Sequence, residues 1–289
     1  MGELMHTKPK ILIVRGGALG DVIMTTPIVR EIFNDYDGFC EIYVQTGFPD
    51  VFKNNPYVAG VNPTTHQHYD AIYNLMLSYE NNPQMHSVAA YGWSVFGNIQ
   101  LSNYSLELFE TNIDSQVVLD KHYDNYVVIH MRQHDWPAKN LRPEFYKDVI
   151  DRILNNTSLN IIQVGGSHEL AFTGNERLIN DLGKYSIQEM KCLISNAKAF
   201  IGMDSGLMHV AACTPAPIIA LFSICKEEVR RPLRKDAKFY PIKANIDCYG
   251  CLEHLPIPTT TFYCRKETTP CVDAFNADEI MNALLDAIK

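Results

Sequence analysis

The sequence predicts an α/β protein of parallel sheets joined by crossover helices. Three observations carry this. Short apolar runs alternate with segments of helical spacing along most of the chain. Two of those runs end in a polar, glycine-bearing turn that opens a helix, at residues 14–22 and 202–209. Of 289 residues, 46% are hydrophobic and 20% charged, the balance of a soluble globular chain long enough for one large or two medium domains.

The first strand is expected at Lys10–Val14, a short apolar run of the kind buried in a parallel sheet. The loop Arg15-Gly16-Gly17-Ala18-Leu19-Gly20-Asp21 follows it. Val22–Tyr36 is helical in pattern, with Pro27 inside it: either Thr26 caps a helix there, or the helix kinks. Further strands are expected at Glu41–Gln45, Ala71–Leu75, Tyr126–Met131, Asn160–Val164, Ala199–Gly202 and Ile218–Phe222. Glu144–Leu154 and Ser186–Ala197 carry helical spacing, and Ala277–Ile288 reads as a terminal helix. Residues 76–118 are Asn-rich, aromatic and poorly periodic. The polar stretch Leu119–Asn125 suggests a boundary, giving domains 1–122 and 123–289.

The strongest local signal is AFIGMDSGLMHVAACTPAPIIALFS, residues 199–223. A buried strand runs into Asp204-Ser205-Gly206, then a small-residue helix with His209 one turn in, then a second strand. This places a polar loop at the carboxyl end of a strand, where open α/β sheets bind ligands. Free amides and the helix dipole favour a phosphate there. The first glycine loop spells neither GxGxxG nor the P-loop ending in Gly-Lys-Ser/Thr, which argues against a standard dinucleotide site and an NTPase.

A net charge of −8 argues against a nonspecific nucleic-acid binder. Lys226, Arg230, Arg231, Arg234 and Lys235 still form a local basic cluster, either a solvated turn or a phosphate contact. No apolar run approaches the ~20 residues of a membrane span. Met1–Lys10 lacks the apolar core of a signal peptide. The expected location is cytoplasmic, with peripheral contact at the inner membrane face left open.

RGGALGDVIMTTPIVREI, NPYV (55–58), WPAKNLRPEFY (136–146), GGSHE (165–169) and IGMDSGLMHVAA (201–212) together resemble glycosyltransferase family 9, the ADP-heptose-dependent heptosyltransferases. The resemblance covers residues 10–60 and 126–225 well and 61–125 weakly. It implies the GT-B fold, two Rossmann-like domains facing a central cleft, and inverting transfer from a nucleoside-diphosphate sugar of ADP-heptose type.

Carried over residue by residue, the resemblance assigns Asp21 as the base for the acceptor hydroxyl. An aspartate in such a turn also caps helices. Gly16, Gly17 and Gly20 shape its loop. Lys139 is placed against the donor diphosphate, where a compact cation suits a leaving phosphate. The family's usual aromatic two residues later is Leu141 here, and Trp136 is the candidate substitute. Glu169 is placed on the donor ribose, though a first-turn glutamate also favours a helix dipole. Asp204, Ser205, Gly206, Leu207 and His209 form the DSGxxH signature. The amides of Gly206 and Leu207 and the Ser205 hydroxyl are expected at the diphosphate, with Asp204 at the sugar or holding the loop and His209 behind the site. His130, Arg132, His134 and Asp135 form a polar cluster without assigned roles. No Asp-x-Asp stands in donor-strand context, which argues against a Mg²⁺-chelating mechanism, so catalysis is expected to need no metal.

Cys248-x2-Cys251-x12-Cys264-x6-Cys271 is the second strong signal. A Cys-x2-Cys knuckle and two later thiolates fit a tetrahedral structural site for zinc or iron, and His254 could replace one ligand. Some family members carry a similar metal finger. Residues 252–263 lack periodicity and need a staple. Cys40, Cys192, Cys213 and Cys225 sit in apolar contexts and read as core.

The reading is an inverting glycosyltransferase whose C-terminal domain holds the donor. Its acceptor is a glycan, a lipopolysaccharide-type lipid or a protein. Two rivals are a nucleotide-sugar hydrolase and a non-catalytic sugar-nucleotide-binding subunit.

Overall fold

A computed structural model describes residues 7–64, 68–130, 137–234, 237–254, 264, 266 and 268–289. The chain forms two compact units that divide between Phe109 and Glu110. The division lies ahead of the boundary expected at 122/123 because of one helix, Asn112–Leu119. That helix packs on Ile187–Ser195 in the second unit, through a Ser115 Oγ to Cys192 Sγ contact of 3.5 Å and a Lys191–Glu110 ion pair.

The first unit holds strands β1 (Lys10–Val14), β2 (Glu41–Gln45), β3 (Val58–Val61) and β4 (Ala71–Asn74). They pair in parallel in the order β3-β2-β1-β4. The chain leaves β1 on one side for β2 and β3, then returns to its other side for β4. The order therefore reverses at β1, which makes the carboxyl ends of β1 and β4 the switch point of this sheet. Ile11, Ile13, Ile42 and Val44 are buried, each contributing roughly 1.5–3 kcal/mol of transfer free energy.

The single helix expected over Val22–Tyr36 is two, α1 (Leu19–Ile23) and α2 (Thr26–Asp35). The Thr25 hydroxyl donates to the Val22 carbonyl and that of Thr26 to the Ile23 carbonyl, at 2.7 and 2.9 Å. Thr25, one residue before the expected Thr26, takes the N-cap position, and Pro27 falls in the first turn, where its missing N–H breaks no helical bond. The stretch 76–118, ambiguous in sequence, contains α3 (Ser87–Phe96), stopped by Gly97 in the left-handed region (φ 66°), and most of α4 (Asn112–Leu119), which belongs to the second unit. Thr111 and Asp114 close α4 with a capping box.

The second unit holds β5 (Tyr126–His130), α5 (Pro143–Asn156), β6 (Asn160–Val164), β7 (Leu178–Asn180), α6 (Ile187–Ser195), β8 (Phe200–Met203), α7 (Gly206–Ala212), β9 (Ile218–Phe222), α8 (Glu227–Arg230), β10 (Phe239–Lys243) and α9 (Ala277–Ala287). The strands are parallel in the order β10-β9-β8-β5-β6-β7. Here the order reverses between β5 and β8. Both strands are buried along their whole length, as expected for the centre of a sheet covered on two faces. Tyr146, Val149, Ile150, Ile153 and Leu154 turn one face of α5 into the core, beside Ile280, Met281 and Leu284 of α9.

Candidate functional site

In the first unit, the residues after β1 and after β4 meet around one carboxylate. Asp21 Oδ2 accepts the Ala18 N–H at 2.9 Å, and its Oδ1 accepts the Tyr79 hydroxyl at 2.8 Å. The Tyr91 hydroxyl donates to the Asp21 carbonyl at 3.3 Å. Arg15 Nη2 lies 3.5 Å from Oδ2. Gly17 is required here: its φ is +94°, and a Cβ would stand 2.6 Å from Asp21 Oδ2. Asp21 thus caps α1 and also faces a set of side chains that sequence reasoning missed. Gly16 donates its N–H to Met76 Sδ at 3.1 Å, and Gly20 is buried within α1.

Arg15 organises this set. Only 1% of it is exposed. It donates to the Leu75 carbonyl at 3.1 Å and to Glu80 at 3.0 Å. Its guanidinium lies 4.9 Å from the Tyr79 ring centre and 5.3 Å from that of Tyr91. Burial alone would lower its pKa. The electrostatics of Tyr91, Asp21 and Tyr79 and the Glu80 bond outweigh burial and raise it above the ordinary value. Tyr79 and Glu80 fall in the aperiodic stretch, so only tertiary contact reveals them.

In the second unit, the loops after β5, β6 and β8 converge at the switch point. Asp204 follows β8 and is bound by Lys139 at 2.9 Å, from a short 3₁₀ turn at Pro137–Lys139. Burial would raise the Asp204 pKa, but the charge and hydrogen bond of Lys139 hold it well below the carboxylate range. Ser205 takes the N-cap position of α7, yet its hydroxyl makes no capping bond. It meets His130 Nδ1 at 3.1 Å instead. His130 ends β5, and its Nε2 faces Glu169 at 3.4 Å from Oε2 and 3.5 Å from Oε1.

Glu169 folds back over its own loop, where Gly166 N–H donates to Oε1 at 2.8 Å. Gly165 permits this with φ +148°, since a Cβ there would stand 2.5 Å from Oε2. Burial raises the Glu169 pKa, but His130 and the Gly166 amide reverse the shift to a net lowering. Gly206 and Leu207 open α7, with His209 buried in it. Of the unassigned polar cluster, His130 is drawn into this site. Arg132, His134 and Asp135, with Trp136, lie outside the described residues. Leu141, at the family's aromatic position, is buried in the core.

The basic cluster divides. Arg234 donates to the carbonyls of Ala211, Thr214 and Lys238, a structural role, and burial lowers its pKa to about 10. Arg231 pairs with Glu227 at 3.6 Å. Lys235 lies outside the described residues. Arg230 ends α8 close enough to act on Asp204 electrostatically.

Among the described residues, no group of three or more His, Cys, Asp or Glu side chains is disposed to hold a metal ion. The four spaced cysteines nevertheless share one neighbourhood. Burial raises the pKa of Cys251 and Cys271 to about 11, and in both the charges of the other three cysteines, or two of them, add to the rise. Residues 255–263, 265 and 267, most of the chain between Cys251 and Cys271 with its expected staple, lie outside the described residues, and the His254 side chain is not described. Cys40, Cys192 and Cys225 are buried as expected of core, whereas Cys213 is half-exposed.

Comparison with known proteins agrees with this architecture. A stretch of 62 residues is 39% identical to lipooligosaccharide heptosyltransferase 2 of Haemophilus influenzae (strain ATCC 51907 / DSM 11121 / KW20 / Rd), covering 22% of this chain and spanning 18% of that relative's length. The fold matches a solved glycosyltransferase family 9 structure from Veillonella parvula DSM 2008, with a TM-score of 0.77 at 14% identity and 99% of each chain covered. It also matches TibC from enterotoxigenic E. coli H10407, described as a dodecameric iron-containing heptosyltransferase and solved with ADP-D-beta-D-heptose. That match has a TM-score of 0.73 at 16% identity, covering 98% of this chain and 77% of TibC. Residues 89–255, more than half of the chain, match glycosyltransferase family 9 (heptosyltransferase), and the chain belongs to that family.

Proposed function

We propose that this chain transfers a heptose, with inversion, from an ADP-heptose-type donor to an acceptor hydroxyl. The observation that carries the reading is the convergence of Lys139, Asp204, Ser205 and Glu169 at the switch point of the second sheet. In this reading Glu169 takes the donor ribose, and Ser205, with the amides of Gly206 and Leu207, takes the diphosphate. Lys139 and Arg230 offset the charge that grows on the leaving diphosphate. His209 supports this loop from within α7. The first unit supplies Asp21. The acceptor oxygen bonds to the anomeric carbon, the bond from that carbon to the diphosphate oxygen breaks, and the hydroxyl proton passes to the Asp21 carboxylate. Gly17, with φ +94°, lets the backbone turn tightly beside this carboxylate, and Gly16 and Gly20 flank Gly17 in sequence.

The acceptor is a lipopolysaccharide-type core, another glycan or a protein side chain. The Haemophilus relative is named for lipooligosaccharide, which favours the first. The test is mass spectrometry of a nucleotide-sugar panel incubated with the protein, with and without a heptose-deficient lipooligosaccharide core and candidate polypeptides. ADP-heptose should be consumed only when an acceptor is present. Consumption without acceptor makes the chain a hydrolase, and binding without turnover makes it a sugar-nucleotide-binding subunit.

We also propose that Cys248, Cys251, Cys264 and Cys271 hold one structural zinc or iron ion. Four thiols in one neighbourhood are the donor set of a soft-metal site. TibC, which this fold matches, is described as iron-containing. When bound, the ion would supply cross-linking, not chemistry on the sugar.

A further inference from the structure

His130 touches both of two loops proposed to hold the donor. It is 5% exposed and ends the central strand β5. One ring nitrogen faces Ser205 after β8, and the other faces Glu169 after β6. A neutral imidazole donates from one nitrogen only. The tautomer with the proton on Nε2 satisfies both contacts: Nε2–H donates to the carboxylate, and Nδ1 accepts the Ser205 O–H.

Glu169 has capacity to spare. Its side chain is 7% exposed, and among the described residues its Oε2 has no hydrogen-bond partner. A buried carboxylate oxygen in that condition calls for a donor. The vicinal hydroxyls of a ribose supply two. Gly166 and the His130 ring both meet Oε1, at 2.8 and 3.5 Å, and anchoring that oxygen leaves Oε2 for an outside donor.

We propose that His130 is a positioning residue for nucleotide recognition, aiming the Glu169 carboxylate at the ribose hydroxyls and tying that aim to the Ser205 loop. The proposal rests on the reading of Glu169 as the ribose contact. It adds that discrimination for ribose is set by a residue that does not touch the nucleotide.

The probes are ADP and 2′-deoxy-ADP, titrated calorimetrically into the full chain, so no acceptor is needed. Wild type should bind ADP at least about tenfold tighter than 2′-deoxy-ADP, the scale of one hydrogen bond to a charged group. His130→Ala should bind ADP about as weakly as it binds 2′-deoxy-ADP. His130→Gln should recover much of the discrimination, because its amide N–H reaches the position of Nε2. His130→Asn, which reaches only the position of Nδ1, should not. A general loss of packing would weaken both nucleotides alike in every variant and leave their ratio unchanged. If His130→Ala keeps the wild-type ratio, or if Asn restores it as well as Gln, the proposal is overturned while the nucleotide site stands. If wild type does not discriminate, or binds neither nucleotide, the reading of Glu169 fails and takes the proposal with it. Should His130→Ala not fold, the contrast between Gln and Asn decides.

Discussion

The Tyr79 hydroxyl donates to Asp21 Oδ1 at 2.8 Å, joining the segment after β4 to the helix after β1. Oδ2 is already taken by the Ala18 amide, with Arg15 3.5 Å away. Each carboxylate oxygen thus accepts one hydrogen bond and keeps a second lone pair for an incoming hydroxyl. Asp21→Asn keeps the shape and removes the proposed base, so it should abolish transfer and leave ADP affinity unchanged. Tyr79→Phe keeps the ring on Arg15 and deletes one bond, which should lower kcat about tenfold, equivalent to roughly 1.4 kcal/mol. Single-turnover transfer rates set beside calorimetric ADP affinities check both. An Asp21→Asn protein that keeps more than about a tenth of the wild-type rate is inconsistent with a base at this position.

Gly17 offers a second approach to the same carboxylate. Alanine there would need a φ of +94° and would press its Cβ to 2.6 Å from Asp21 Oδ2. The expected cost is about 1–3 kcal/mol of stability, together with loss of transfer as Asp21 is displaced. Urea unfolding and the transfer rate should fall together. A Gly17→Ala protein with normal stability and rate would mean that the turn relaxes freely and does not confine Asp21.

Lys139 and Asp204 bind each other at 2.9 Å, so removing the lysine does two things. It takes a cation from the proposed donor site, which should weaken ADP binding by roughly 1–3 kcal/mol. It also leaves Asp204 buried without its main partner, which should destabilise the fold by up to about 3–5 kcal/mol. The double variant Lys139→Ala/Asp204→Asn should therefore unfold later in urea than Lys139→Ala alone. The pH dependence follows from the direction of the Asp204 shift. Burial raises its pKa, Lys139 more than reverses this, and the net folded value lies below the unfolded ~3.9. Its contribution is complete above that unfolded value and is lost as pH falls towards the folded one. Urea midpoints of wild type and Asp204→Asn should keep a constant gap from pH 5 to 8 and converge below about pH 4. A gap that closes near neutral pH would assign the effect to another group.

The sequence showed what depends on local pattern. The strands at Lys10–Val14, Asn160–Val164 and Ile218–Phe222 stand where their apolar runs ended. The placement of Asp21, Glu169 and Asp204 in turns after strands was legible because glycine and polar residues mark strand ends. The partners of Asp21 were not. Tyr79, Glu80 and Tyr91 lie in an aromatic, Asn-rich stretch whose turn at 76–82 has no period to read, and their meaning comes from β4 returning beside β1. The helix Asn112–Leu119 did carry a local signal, Thr111-x-x-Asp114, and that capping box would have moved the expected boundary towards Phe109. The split between α1 and α2 was half legible. Pro27 announced a break, but the hydroxyls of Thr25 and Thr26, which close it, are bonds to carbonyls three residues back and leave no pattern of their own.

The last prediction concerns the cysteines. Cys248, Cys251, Cys264 and Cys271 share one electrostatic neighbourhood, and a chain segment without hydrophobic period connects the second to the third. A metal cross-link there would couple ion binding to folding free energy. Cys251→Ser should then lower the melting temperature and the soluble yield before it alters ADP affinity, and chelation should act in the same direction. The serine barely changes volume, so a loss of stability reports the ligand and not a cavity. Elemental analysis of protein purified without added metal should find about one zinc or iron per chain, as for a closed four-thiolate site. Cys225 supplies the contrast. It is buried beside Asp204, away from the spaced quartet in sequence, and burial pushes its thiol up. Cys225→Ser should leave the metal content unchanged. Metal-free protein, or a Cys251→Ser protein of unchanged stability, would reduce the quartet to four thiols that happen to be neighbours.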